Sequence, residues 1–136
     1  MKQVDHIGIA VRDLSQSIPL FEKLLNQPCY KQERVESQQV TTAFFAAGQT
    51  KIELLEGAGD GDPISRFIQS RGEGIHHIAF EVADIDSEIQ RLKAAGFAFV
   101  AEKPTPGADN KMICFLHPRS TAGVLIELCM EVKATP

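Results

Sequence analysis

The chain has 136 residues, of which 43% are hydrophobic and 24% charged, and its formal charge at pH 7 is −4. This size and composition are typical of one globular domain with a full core. The acidic balance gives no reason to expect a nucleic-acid partner, because such partners favour a basic face. No apolar run approaches the roughly 20 residues of a membrane span, and the amino terminus lacks a signal-peptide pattern. We therefore expect a cytoplasmic protein that binds neither nucleic acid nor membrane.

A strand and a helix are predicted first. Residues 4–11 alternate in polarity, which predicts a strand in which His6 lies on the face that carries small residues. Asp13 or Ser15 can cap the helix that follows, and Pro19 is compatible only with its first turn. The buried stripe of this helix is predicted to hold four apolar residues, Ile18, Phe21, Leu24 and Leu25.

Three further strands and a connecting helix follow. The strands are predicted at 29–35, 39–47 and 51–56, with a tight turn between the last two. Asp62 followed by Pro63 is a typical helix start, so residues 62–72 are predicted to form a short helix that ends near Gly72.

The second half of the chain repeats the order of the first. A strand at 75–82 and a helix at 86–95 precede three strands, predicted at 97–102, 111–117 and 124–131. At an offset of 71 residues, His6 aligns with His77; the offset then becomes 74, and Glu53 aligns with Glu127. This internal repeat predicts two tandem βαβββ modules, about 3–57 and 74–131, within one domain of residues 1–136.

The repeat also predicts a metal site. Each module carries one histidine near its start and one glutamate near its end. A carboxylate in the middle of an apolar strand is costly unless it is paired or bound to a metal. For a single residue a wet strand face would be the better explanation, but four residues at equivalent positions favour ligation. Two imidazoles and two carboxylates suit Zn, Co, Ni, Mn or Fe.

Five segments then resemble a known family, the methylmalonyl-CoA epimerases of the vicinal oxygen chelate superfamily, which also includes glyoxalase I and the extradiol dioxygenases. The segments are DHIGIAV, TKIELLEG, PISRFI, GEGIHHIAF and FLHPRSTAGVLIEL, at residues 5–11, 50–57, 63–68, 72–80 and 115–128. The resemblance implies an α+β fold in which the two modules pair into a curved, barrel-like sheet around a metal cleft. It further implies that His6, Glu53, His77 and Glu127 bind the metal, and that the protein forms a homodimer.

By the same resemblance the substrate is a short 2-carboxyacyl-CoA, and the activity is metal-dependent epimerisation of methylmalonyl-CoA through a metal-stabilised enolate. Such a reaction needs one base on each side of the planar intermediate. Glu127 matches a glutamate that the family uses as ligand and base. Some bacterial members carry a second catalytic glutamate at the position of Thr42, and a threonine cannot serve as a base. Glu53 is therefore our candidate for the second base.

Other functions stay open. A glyoxalase I-type lactoylglutathione lyase would use the same four ligands and differ only in substrate. A metal-free binding module would not need all four positions, and an extradiol dioxygenase uses only two histidines and one carboxylate. Lys111, Arg119 and Ser120 could meet the phosphates of CoA, although a place in a solvated loop is the preferred interpretation. His117 before Pro118 is predicted to cap a turn.

Overall fold

A computed structural model describes residues 1–132 and shows the βαβββ order twice. The chain divides into two compact units. One is His6–His76, called the amino-terminal unit below; the other joins Met1–Asp5 to the residues from His77 onward and is called the carboxy-terminal unit. The α+β class and the two repeated modules are confirmed. The single-domain prediction for residues 1–136 stays a prediction, and its last four residues lie outside the described chain.

The amino-terminal unit is built on a four-stranded sheet whose order is β2-β3-β4-β1. Strand β1 pairs parallel with β4, and the other neighbours pair antiparallel. Its elements are β1 (Gln3–Ala10), α1 (Leu14–Leu25), β2 (Lys31–Val35), β3 (Val40–Ala47), β4 (Thr50–Gly57) and α2 (Pro63–Arg71). Residues 3–5 of β1 belong to the other unit.

Helix α1 begins where the sequence predicts, because the side chain of Asp13 accepts a hydrogen bond from the backbone N–H of Ser15. Two details of the prediction are wrong. Pro19 is the sixth residue of the helix and lies beyond the first turn. Leu24 is 70% exposed, since the packed stripe runs through Leu14, Ile18, Phe21 and Leu25 and leaves Leu24 beside it.

One face of the amino-terminal sheet is covered by α1. Ala43, Phe45 and Leu54 pack with the helix in a single apolar cluster. Side chains alternate between the two faces of a strand, so the residues between them, among them Phe44 and Glu53, project from the opposite face. We call that opposite face the site face.

Helix α2 and the loop before it are fixed by Asp62. Its carboxylate accepts hydrogen bonds from the N–H of Ser65 at 2.9 Å, the hydroxyl of Ser65 at 2.6 Å and the N–H of Gly59 at 3.1 Å. A Cβ atom on Gly57 would overlap this carboxylate and lie 2.7 Å from Ser65 Oγ. The close approach of the loop to Gly57 therefore requires glycine there.

The carboxy-terminal unit repeats the plan, with strand order β5-β8-β7-β6 and β5 parallel to β8. Its elements are β5 (Gly74–Glu81), α3 (Ile85–Ala94), β6 (Thr105–Gly107), β7 (Lys111–Leu116) and β8 (Ile126–Glu131). Residues 74–76 of β5 belong to the amino-terminal unit. Asp84 caps α3 through the N–H of Ser87. Among residues 1–132, no helix is long and apolar enough to cross a membrane.

The prediction of a strand at 97–102 is wrong. Only Phe99 forms a bridge, to Leu116, and the short strand β6 lies further along the chain at Thr105–Gly107. The side chains of Phe97 and Phe99 pack against the core beside α3. The apolar pattern that predicts a strand therefore reflects this packing rather than a continuous ladder.

Candidate metal and substrate site

The first candidate pair, His6 and Glu53, is brought together by the parallel pairing of β1 and β4. Glu53 is in register with Gly8, and His6 lies two residues before Gly8 on the same face. His6 Nδ1 is 3.1 Å from Glu53 Oε2. Both side chains are buried.

The second pair, His77 and Glu127, is held in the same way in the carboxy-terminal unit. Glu127 is in register with Ala79, and His77 lies two residues before Ala79. His77 Nε2 is 3.5 Å from Glu127 Oε1. The His77 ring also meets the ring of Phe115 edge-on, with the centroids 5.7 Å apart.

The two pairs occupy equivalent positions in the repeat. Glu53 is opposite Phe44 on its antiparallel neighbour, and Glu127 is opposite Phe115. On the parallel side each glutamate faces a residue with little or no side chain, Gly8 or Ala79. The small residue leaves room for the histidine two positions away to reach the carboxylate.

The donor set and its spacing fit a divalent ion. Imidazole nitrogens and carboxylate oxygens are common ligands of such ions, with bonds of about 2.1 Å. Ligand atoms at that distance lie about 3.0 Å apart at a right angle and about 3.4 Å apart at the tetrahedral angle. The separations of 3.1 and 3.5 Å within the two pairs match these values. Ligation of one ion by all four residues remains a prediction.

Thr42 lies on the site face, two residues before Phe44 on β3, and is almost fully buried. Its cross-strand partner on β4 is Leu55, and Glu53 is two residues away from Leu55. A hydroxyl group there has no basicity of the kind that proton abstraction from carbon needs.

His76 takes no part in either pair. Its ring packs edge-on against Phe67 with the centroids 5.0 Å apart. Burial, together with the positive charge of Arg71, lowers the pKa of His76 from 6.5 to about 4. The imidazole is therefore neutral at pH 7 and acts as a packing group.

The expectation that Lys111 lies in a solvated loop is wrong. Lys111 begins β7, is buried, and its Nζ is 2.6 Å from Asp5 Oδ1, which is also buried. A buried cation is stable only when it is paired, and Asp5 supplies the pair. An aspartate on the apolar side of the first strand was the signal that could have revealed it.

The cap predicted at His117 is confirmed. The backbone N–H of Arg119 donates to His117 Nδ1 at 3.1 Å, and Pro118 starts a single helical turn.

Known proteins with similar sequences and structures share this architecture. A model of the glyoxalase/bleomycin resistance protein/dioxygenase superfamily covers residues 5–115. An ethylmalonyl-CoA/methylmalonyl-CoA epimerase of Cereibacter sphaeroides is 37% identical over 128 residues, which are 93% of this chain and 96% of that protein. The crystal structure of methylmalonyl-CoA epimerase from Mycobacterium tuberculosis has a TM-score of 0.91 and 32% identity, covering 96% of this chain and 89% of that one.

A second solved structure is a variant of the Streptomyces coelicolor methylmalonyl-CoA epimerase in complex with 2-nitronate-propionyl-CoA. Its TM-score is 0.91 at 29% identity, and the match covers 98% of this chain and 99% of that one. The superfamily match includes His6, Glu53 and His77 and ends before Glu127. The chain belongs to the methylmalonyl-CoA epimerase family of the glyoxalase/bleomycin resistance protein/dioxygenase superfamily.

Proposed function

We propose that this protein epimerises methylmalonyl-CoA at carbon 2. The observation that carries the proposal is the recurrence of a buried histidine–glutamate pair at the same strand register in both units. Two carboxylates in equivalent places suit a reaction that removes a proton from one side of a carbon and returns it on the other.

We further propose that His6, Glu53, His77 and Glu127 hold one divalent ion, which could be Co, Zn, Ni or Mn. The imidazole and carboxylate donors and their spacing support this set. When bound, the ion would act as a Lewis acid on the thioester oxygen and the carboxylate of the substrate. The burial of all four residues would keep competing water away from this chemistry.

The proton steps are assigned to Glu127 and Glu53. An ionised carboxylate takes the proton from carbon 2, and the electron pair of the C–H bond passes into the thioester carbonyl to give a planar enolate. The second glutamate, already protonated, gives its proton to the opposite side of carbon 2. The two residues end with their protonation states exchanged, so the reverse reaction uses the same groups in the opposite order.

The substrate class rests on the relatives. The name of the Cereibacter enzyme includes both ethylmalonyl-CoA and methylmalonyl-CoA, so the experiment must also determine which acyl group this protein accepts. Turnover of methylmalonyl-CoA, ethylmalonyl-CoA and the methylglyoxal–glutathione adduct by metal-reconstituted protein tests the proposal. We expect epimerisation of at least one malonyl thioester. Turnover of the glutathione adduct alone would replace the proposal with a lactoylglutathione lyase.

We also propose that the protein is a cytoplasmic homodimer. The assembly is supported by the family resemblance. The compartment is supported by the cysteines, because Cys29, Cys114 and Cys129 form no disulfide within the described chain and so suit a reducing environment.

A further inference from the structure

Lys31 belongs to the same sheet face as the candidate ligand Glu53. Lys31 on β2 is directly opposite Phe44 on β3, and Phe44 is directly opposite Glu53 on β4. Residues directly opposite each other in antiparallel strands project from the same face. Lys31, Phe44 and Glu53 therefore form one row across three adjacent strands of the site face.

The Lys31 ammonium group is held above the row by its neighbours. Nζ lies 4.6 Å from the centroid of the Phe44 ring, and the Tyr30 ring packs against the same ring with the centroids 6.0 Å apart. Glu33, the next residue of β2 on this face, places Oε1 3.5 Å from Nζ. The Lys31 side chain is 37% exposed, so an anion from solvent can still reach its ammonium group.

The equivalent row of the carboxy-terminal unit differs at this point. There the rings of Phe115 and His77 are perpendicular to each other, whereas the Phe44 ring has the Lys31 ammonium group above it. The four candidate ligands repeat between the modules, but Lys31 does not. A substrate with an anionic group on one side could be oriented by this difference.

The ion pair with Glu33 does not by itself explain why a lysine occupies this position. Exposed pairs of this kind contribute about 0–1 kcal/mol to folding, and the Glu53 carboxylate already has His6 Nδ1 3.1 Å away. A cation over an aromatic ring, adjacent to a proposed active site, is better suited to binding an anion.

We propose that Lys31 binds an oxyanion of the acyl-CoA substrate and so sets its orientation. This deepens the proposed function and rests on it. The oxyanion has two possible sources, the carboxylate of the malonyl group and a phosphate of CoA. Both would accept a charge-assisted hydrogen bond from Nζ.

Three variants test the proposal. Lys31→Met removes the charge but keeps an apolar stem over Phe44, and Lys31→Arg keeps the charge. Lys23→Met is the matched control, because Lys23 is exposed in the last turn of α1, the helix that covers the opposite sheet face. Binding of CoA, propionyl-CoA and methylmalonyl-CoA is measured by calorimetry on the metal-reconstituted protein, alongside KM and kcat for epimerisation.

We expect Lys31→Met to weaken binding and raise KM about tenfold, as for one lost charged hydrogen bond, with kcat nearly unchanged. Lys31→Arg and Lys23→Met should bind like the unaltered protein. Weakening for methylmalonyl-CoA alone identifies the malonyl carboxylate as the source, and equal weakening for all three ligands identifies a phosphate.

Two results would overturn the proposal, and they differ from each other. If Lys31→Met binds all three ligands as Lys23→Met does, while the unaltered protein epimerises methylmalonyl-CoA, the role of Lys31 is wrong and the function stands. If the unaltered protein neither binds nor turns over any acyl-CoA, both proposals fail together.

Discussion

At the scale of single residues, Glu53 and Glu127 are the groups whose placement most needs an explanation. Each lies in the middle of a buried strand, where a lone carboxylate would cost several kcal/mol. The adjacent histidine, at 3.1 or 3.5 Å, offsets part of that cost. A divalent ion would offset more, because it places two positive charges beside the carboxylates.

The metal proposal predicts that His6→Ala and His77→Ala lose bound ion and keep their fold. Each histidine lies outside the core clusters, so we expect the variants to fold, with a lowered stability because the adjacent buried carboxylate loses its partner. We expect metal affinity to fall about 100-fold or more, since losing even an outer partner of a ligand costs 10- to 100-fold. Mass spectrometry of purified variants measures the occupancy. His117→Ala is the control, and full occupancy in all three variants would remove the site.

The two-base proposal predicts complementary defects in deuterium oxide. Glu53→Gln should nearly abolish epimerisation but still admit deuterium into one epimer with retention, because glutamine cannot carry the proton. Glu127→Gln should prefer the other epimer. Nuclear magnetic resonance of recovered methylmalonyl-CoA distinguishes the two patterns.

Near-normal epimerisation by Glu53→Gln would show that the second base lies elsewhere, for example in a water held by Thr42. The metal site would survive that result. The assignment of two glutamates would not.

At the scale of elements, helix starts were the most predictable features. The caps predicted at Asp13 and Asp62 each accept a hydrogen bond from a first-turn backbone N–H, and this is local chemistry that adjacent residues determine. Asp84 caps α3 in the same way, but that cap was not predicted, and the helix begins at Ile85 rather than at residue 86. The repeat placed one histidine and one glutamate at equivalent positions of each module, but their contact depends on the parallel pairing of the first and last strands of the module, which the sequence did not specify. Long-range partners carry no such local signal. The Asp5–Lys111 pair and the packing of residues 97–99 depend on tertiary contacts and were missed.

The Asp62 cap of α2 should make the stability of the fold depend on pH. Burial alone would raise the pKa of Asp62, but hydrogen bonds from Ser65 and Gly59 outweigh it, so the pKa lies below its usual value of 3.8. A lowered folded-state pKa means that ionised Asp62 stabilises the fold. That stabilisation is present above pH 3.8 and is lost as the pH falls through the folded-state value.

We therefore expect Asp62→Asn to lower the free energy of unfolding by about 1 kcal/mol at pH 7, the difference between a charge-assisted and a neutral hydrogen bond. The difference in unfolding free energy between Asp62→Asn and the unaltered protein should shrink as the pH drops below 3.8. Urea titrations at pH 7 and at a pH below 3.8 measure this difference, with Asp60→Asn in the exposed loop as the control. A difference that stays constant with pH would contradict the role of the charge.

At the scale of the whole molecule, the homodimer is the testable expectation. The chain has a mass of 14.9 kDa, so light scattering at micromolar concentration should give about twice that value if subunits associate as most soluble oligomers do. The measurement should be repeated after chelation, which separates assembly from metal binding. A monomer mass under both conditions would contradict the proposal.

The pairing of Asp5 with Lys111 has a consequence for how the chain is made. The two residues are 106 positions apart, and the first five residues belong to the carboxy-terminal unit. A ribosome releases Asp5 long before Lys111 exists, at about 5–20 residues per second. For several seconds residues 1–5 cannot join the rest of their unit, while residues 6–76 can already fold. The carboxy-terminal unit closes last, around a buried charge pair between residues that are 106 positions apart in the chain.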